Sequence, residues 1–259
     1  MRIVRSLIRR VLRRLGFGVW KVDSSETLNF ENLLHSVLHH HKAISLLHIG
    51  AHDGKSFTDP LYNFVIQNEG RFYGVYVEPV EPTYQKLIGN LGEISGLTFL
   101  NVAVHPSLKS IEIHQMDGLA RPSRKYATGL STVYKTRLLA GSHNLRPTSI
   151  STTTVRAITV EEAIDHLPIE AQNIPLVVCV DTEGLDFEIV RSILLGPHRP
   201  LIIRFEHNLC DSRSEVDTEA YLDLVSDLNR IGYQVFTELN DATAIFRNAV
   251  PMITRHGKW

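Results

Sequence analysis

At 259 residues and 29.3 kDa, with 43% apolar and 21% charged residues, the chain can build a sizeable core without disulfides, as one large α/β domain or two small ones. Its only cysteines, Cys179 and Cys210, lie in or beside apolar runs and read as buried free thiols, which fits a reducing compartment. No stretch approaches the roughly 20 apolar residues a bilayer span needs, and no signal peptide with a cleavage site is present, so the expected location is cytoplasmic.

The net charge of −1 conceals an asymmetry. MRIVRSLIRRVLRR, the first fourteen residues, holds six arginines and no acid, which leaves a body charge of −7. Ile3, Val4, Leu7, Ile8, Val11, Leu12 and Leu15 recur at helical spacing, so residues 1–23 read as a basic amphipathic appendage. Such a helix can lie on an anionic membrane surface as a peripheral contact, or pack on its own domain. No second basic stripe or recognised motif points to nucleic acid. Oligomeric state is not written in these patterns.

Residues 24–42 read as a helix, with Ser24 or Ser25 as cap and Leu28, Phe30, Leu33, Leu34, Val37 and Leu38 on its apolar side. His35, His39, His40 and His41 cluster near its end, where no accompanying acid argues for a metal, and they read as a polar helix terminus. Short apolar runs then alternate with helical segments: strand 43–50, a turn and helix to about 68, strand 71–79, helix 82–92, strand 97–104. Residues 105–158 break that rhythm with Ser, Thr, Gly and basic residues, and read as an insertion or lid with one short strand at Ile111–His114. The alternation resumes with helix 160–167, strand 174–181, helix 185–195, strand 200–207 and helix 218–232. Two last strands, 233–239 and 241–248, meet at Asn240-Asp241, a hairpin signal. The expected fold is α/β, with a seven-stranded, mostly parallel Rossmann-like sheet ending in an antiparallel C-terminal hairpin. The core domain is 24–259.

The first strand runs into Gly50-Ala51-His52-Asp53-Gly54, a GxxxG turn that brings backbone close to a ligand or serves only packing. The pyrophosphate fingerprint GxGxxG is absent, which argues against a dinucleotide oxidoreductase, as does the terminal hairpin. Glu78 ends the second strand, where an acid can accept hydrogen bonds from both ribose hydroxyls of an adenosine. Asn101, late in the third strand, is placed either to reach an adenine or to cap the strand end. Asp181, Glu206 and His207 end the next two strands on the rim where open α/β sheets bind ligands.

GAHDG, VYVEPVEPTYQKLIGN, LNVAV, ITVEEAID, VVCVDTEGLDFEIVRS and IIRFEHN resemble the successive blocks of the FkbM-type methyltransferases. The similarity runs over about residues 44–209, and its most specific element is Asp181, Glu183, Gly184, Asp186 and Glu188. The resemblance implies a class I methyltransferase fold, S-adenosylmethionine as donor, and O-methylation of a sugar, glycan or secondary metabolite. It implies a donor site at His48, Gly50, His52, Asp53, Gly54, Glu78, Asn101 and Asp181. His48 stands where the family usually has aspartate, and His52 where asparagine is frequent. Loss of that aspartate would remove a carboxylate from the donor's ammonium group, leaving Asp53 or Asp181 to replace it, or would mark a non-catalytic binder.

An alcohol acceptor needs a base or a metal beside it. Two schemes stand open. Asp181, Glu206 and His207 hold a divalent cation such as Mg2+, or His207 is the base while Asp181 binds the donor's amino group. Glu183 has a rival role as cap of the next helix, and Gly129-Leu130-Ser131-Thr132 resembles a short family stretch that closes over the site or is an ordinary loop.

Overall fold

All six residues of Ile44–Ile49 (β1) are buried, which makes this strand the middle of a sheet covered on both faces. The computed structural model describes residues 30–56, 59, 61–116, 131–133, 150–207, 218–238 and 240–247. The basic segment 1–23, Leu28, Gly129, Leu130 and Cys210 lie outside the described residues. Helix α1 (Phe30–His40) precedes β1; then come α2 (Tyr62–Gln67), β2 (Phe72–Val77), α3 (Glu81–Leu91) and β3 (Leu97–Leu100). After β4 (Ala103–Val104) follow β5 (Ser110–Met116), β6 (Ser131–Thr132), β7 (Ile150–Ile158) and α4 (Val160–Ile164). The chain closes through β8 (Leu176–Val180), α5 (Asp186–Leu195), β9 (Ile202–Glu206), α6 (Thr218–Ile231), β10 (Tyr233–Thr237) and β11 (Asp241–Phe246).

The main sheet has seven strands in the order β10-β11-β9-β8-β1-β2-β3. β1 pairs in parallel with β2 and β8, β2 with β3 and β8 with β9, while β11 runs antiparallel to both β9 and β10. This is the class I methyltransferase arrangement expected from the alternation and its terminal hairpin. Strand order reverses between β1 and β8, and that switch point opens a crevice beyond their carboxyl ends.

Alternation along β1 divides the core. Ile44 and Leu46 pack with α1, α2 and α3, through Leu33, Leu34, Phe64, Val65, Leu87 and Leu91. Leu47 and Ile49 face the other layer, where α4, α5 and α6 supply Ala163, Ile189, Val190, Ile193, Leu224 and Leu228. Cys179 is buried and free, as its apolar run suggests. His35 sets its ring edge-on to Phe64, centroids 5.2 Å apart, while His39 and His40 are exposed at the helix end.

Two expectations change. The single strand 97–104 is split: β3 belongs to the main sheet, and β4 crosses into a second sheet of order β4-β7-β5-β6. The Asn101 amide donates to the Glu78 carbonyl at 2.9 Å at the break, fixing the chain where it changes sheets. The stretch 105–158, read as lacking sustained periodicity, holds β5 and β7 paired antiparallel from Ser110↔Arg156 to Met116↔Ile150. Ser151, Thr152, Thr153 and Thr154 are exposed in β7, and β-branched Thr suits such a surface. Ile111, Ile113, Ala157 and Ile158 anchor this arm on the main core.

The hairpin is held by Arg204. Its guanidinium meets Glu238 at 2.6 Å and Asp241 at 2.8 Å, donates to the Thr243 hydroxyl at 3.1 Å, and stacks over the Phe30 ring. Among the described residues, no helix is long and apolar enough to cross a membrane.

Candidate functional site

Gly50 follows β1 and abuts the end of the parallel neighbour β8, with φ +79°. A Cβ there would stand 1.8 Å from the Asp181 carbonyl oxygen, so the glycine is required by the approach of the two strand ends. Gly54, φ +66°, is required by α3: its Cβ would lie 2.6 Å and 2.7 Å from Leu87 and Leu91 methyls. The sequence left open whether these glycines serve packing or a ligand; each has a packing cause. Methyl groups at side-chain ends can yield and a backbone carbonyl cannot. Gly50→Ala is therefore expected to destabilise the fold by about 3 kcal/mol or more, and Gly54→Ala by clearly less, in urea unfolding.

Between the glycines the loop is tied by carboxylates. Asp53 accepts from the amides of Lys55 and Ser56 and from the Ser56 hydroxyl. Burial works against its charge, but these Ser56 and Lys55 hydrogen bonds outweigh it and hold the carboxyl at about 2. Asp53 is thus committed to its own turn, which the Asn90 amide pins to α3 through the Asp53 carbonyl. His52 has φ +49°, a left-handed conformation uncommon outside glycine, and its amide points at Glu78.

Glu78 is 4% exposed at the end of β2. Its Oε2 accepts the His52 amide and its Oε1 the Val80 amide, each at 2.9 Å. Burial pushes its carboxyl up to about 7, against the lowering by those two amides and with a further push from Asp53. Asn101 reaches the Glu78 backbone, so the structure gives it the strand-end role of the two foreseen.

His48 is buried and shares a cross-strand row with Tyr76 and Cys179. Burial lowers its pKa, partly countered by Asp59, whose Oδ2 lies 3.8 Å from His48 Nδ1. Neither His48 Nδ1 nor the Tyr76 hydroxyl has a hydrogen-bond partner within the described protein. The carboxylate missing from position 48 thus has a neighbour in Asp59, which sequence reading did not foresee. Asp59 also accepts the Leu61 and Tyr62 amides at the start of α2, a turn pattern that would have been its only signal.

Across the switch point, Asp181, Glu183 and Glu206 each bring an oxygen within 4.8 Å of the others. Asp181 keeps a face open to solvent although protein crowds it, and that crowding, followed by the charges of Asp186 and Glu183, raises its carboxyl well above the usual range. Asp186 is buried beneath, accepting from the Thr182 hydroxyl and from the amides of Thr182 and Gly184. Burial lifts it to about 6 against those bonds. Thr182 and Asp186 therefore organise the entry to α5, and Glu183, at φ +53°, stands with the cluster.

Of the expected trio Asp181, Glu206 and His207, the structure brings Asp181 and Glu206 together, with Glu183 beside them. His207 is 2% exposed, with its ring 5.0 Å from that of Tyr221. Burial lowers its pKa against the carbonyls of Glu238 and Asp241 in the hairpin. A histidine after a strand-end acid gave no sign of which way its ring would turn.

Residues 48–235 match the family model described as Methyltransferase FkbM domain. No curated protein matches the chain. Similar solved structures include a putative O-methyltransferase from Klebsiella pneumoniae, 11% identical, covering 92% of this chain and 88% of that one, TM-score 0.41. Precorrin-6y C5,15-methyltransferase from Geobacter metallireducens GS-15 is 11% identical over 88% of this chain and 92% of its own, TM-score 0.40. Aeropyrum pernix fibrillarin, solved with natively bound S-adenosyl-L-methionine, is 10% identical over 83% and 75%, TM-score 0.40. By the span of the family match, this chain belongs to the FkbM methyltransferases, which use S-adenosylmethionine as methyl donor.

Proposed function

We propose that this chain methylates a hydroxyl group of a sugar, glycan or similar polyhydroxylated acceptor. The observation that carries the reading is the cluster of Asp181, Glu183 and Glu206 beside the Gly50–Gly54 turn. A neutral hydroxyl must lose its proton as it attacks, and a carboxylate can take it. Carboxylates that accept several hydrogen bonds also suit vicinal hydroxyls.

In this reading Glu78 accepts the donor's ribose hydroxyls. The acceptor oxygen attacks the sulfonium methyl in line, a C–O bond forms as the C–S bond breaks, and S-adenosylhomocysteine leaves. The hydroxyl proton passes to a carboxylate, for which Asp181 is favoured because its raised pKa makes it the stronger base once ionised. Positioning of the two reactants contributes roughly 7–11 kcal/mol in well-oriented systems. Transfer of labelled methyl to a panel of monosaccharides, oligosaccharides and amines tests this. Label in amines only overturns it, and donor binding with no transfer to any acceptor favours a non-catalytic binder.

The same trio supports a second reading. Three carboxylates offer hard oxygen ligands and fit a divalent cation such as Mg2+. Asp181, Glu183 and Glu206 would hold it, and bound there it would polarise the acceptor hydroxyl. Under this reading, EDTA treatment followed by desalting removes at least 90% of turnover and Mg2+ restores it. Turnover that survives EDTA assigns the centre to the carboxylates alone.

A further inference from the structure

The second sheet reaches the acid cluster through Thr132. Thr132, 2% exposed in β6, donates its hydroxyl to the Glu183 carbonyl at 2.7 Å. Glu183 is one of two described non-glycine residues with positive φ, and Gly184 after it also has φ on that side, +148°. From below, the Thr182 hydroxyl and the Gly184 amide are fastened to Asp186. The turn that presents the Glu183 carboxylate is thus gripped from both sides, by Asp186 within the main sheet layer and by Thr132 from the arm. A side-chain-bearing residue holds a left-handed conformation only where its surroundings over-determine it.

We propose that Thr132 is a positioning residue for the reaction centre: by holding the Glu183 carbonyl it fixes the left-handed turn and sets the Glu183 carboxylate with those of Asp181 and Glu206. The described part of the arm thereby braces the acid cluster through a hydroxyl. This rests on the reading that the trio is the reaction centre. The placement itself is testable without any acceptor.

Terbium(III) is a suitable probe, since it binds clustered carboxylates and its luminescence reports occupancy. It is titrated into the full chain and into Thr132→Val, Thr132→Ser, Glu183→Gln and the Thr132→Val/Glu183→Gln double variant, with S-adenosylmethionine affinity by calorimetry alongside. Thr132→Val is nearly isosteric and removes the hydroxyl, so terbium affinity is expected to fall about tenfold while S-adenosylmethionine affinity stays within twofold. Thr132→Ser keeps the hydroxyl and restores affinity to within about twofold of the unaltered chain. In the Glu183→Gln background the valine change has no further effect, because it acts through that carboxylate. Equal terbium affinity in Thr132→Val and the unaltered chain overturns the proposal, as does an undiminished effect in the Glu183→Gln background. If Thr132→Val does not fold, the Thr132→Ala and Thr132→Ser pair decides by the same criterion. Failure of methyl transfer with an intact terbium pattern rejects the proposed function and leaves the positioning standing.

Discussion

Glu78→Ala is expected to weaken S-adenosylmethionine binding by at least tenfold, about 1.4 kcal/mol, in calorimetric titration. Each oxygen of the Glu78 carboxylate accepts one backbone amide, which leaves each with a further lone pair for a ribose hydroxyl. Alanine removes both acceptors and also releases the His52 amide, whose left-handed residue shapes the loop. Glutamine is no conservative change here, since its NH2 would face one of two backbone donors. The pH dependence is specific. The carboxyl titrates at about 7 when folded, so ionised Glu78 is lost below that pH, and donor affinity should fall as pH drops through 7. Glu78→Gln should flatten that dependence. In the donor-free protein the folded value lies above the ordinary value of 4.5. The group therefore contributes stability at acid pH, and that contribution disappears as pH rises from about 4.5 to about 7. Donor affinity unchanged by Glu78→Ala would move the ribose to another acceptor.

Asp181→Asn should abolish most turnover while the fold persists by circular dichroism. As proton acceptor, Asp181 is expected to contribute roughly 10²–10⁴-fold to the rate, and asparagine cannot take the proton. Crowding, then the charges of Asp186 and Glu183, raise its carboxyl well above the usual range. Turnover of the unaltered enzyme should rise with pH through the elevated pKa of Asp181. If donor affinity collapses instead of turnover, Asp181 is the ligand of the donor's ammonium group and the base lies elsewhere in the trio.

Much of this architecture could be read before any coordinates. Buried parallel strands announce themselves as unbroken apolar runs, so β1, β2, β8 and β9 were found within a residue or two. The arm was missed because Ser, Thr and Gly have the composition of loops, and exposed Thr in β7 lacks the alternation that marks a half-buried strand. In the site, Glu78 and Asp181 were legible because strand ends fix where a side chain emerges. Asp59 was not, and Glu183 and Thr132 could be singled out only as members of motifs, without their contacts. Glu183 depends on a backbone turn of unusual φ, Asp59 on its approach to His48, and Thr132 on a contact 51 residues away in sequence. The direction of the His207 ring was set by Tyr221 and the hairpin, which no local pattern encodes.

The chain passes from β3 to β4 across only Asn101 and Val102, and leaves β7 into α4 through Thr159 alone, which forms a capping box with Glu162. These short junctions tie β4 and β7 to the main core where the chain enters and leaves the second sheet. Lengthening either one by two or three glycines is expected to lower Tm, because it loosens the strands that carry Ile111, Ile113, Ala157 and Ile158 into that core.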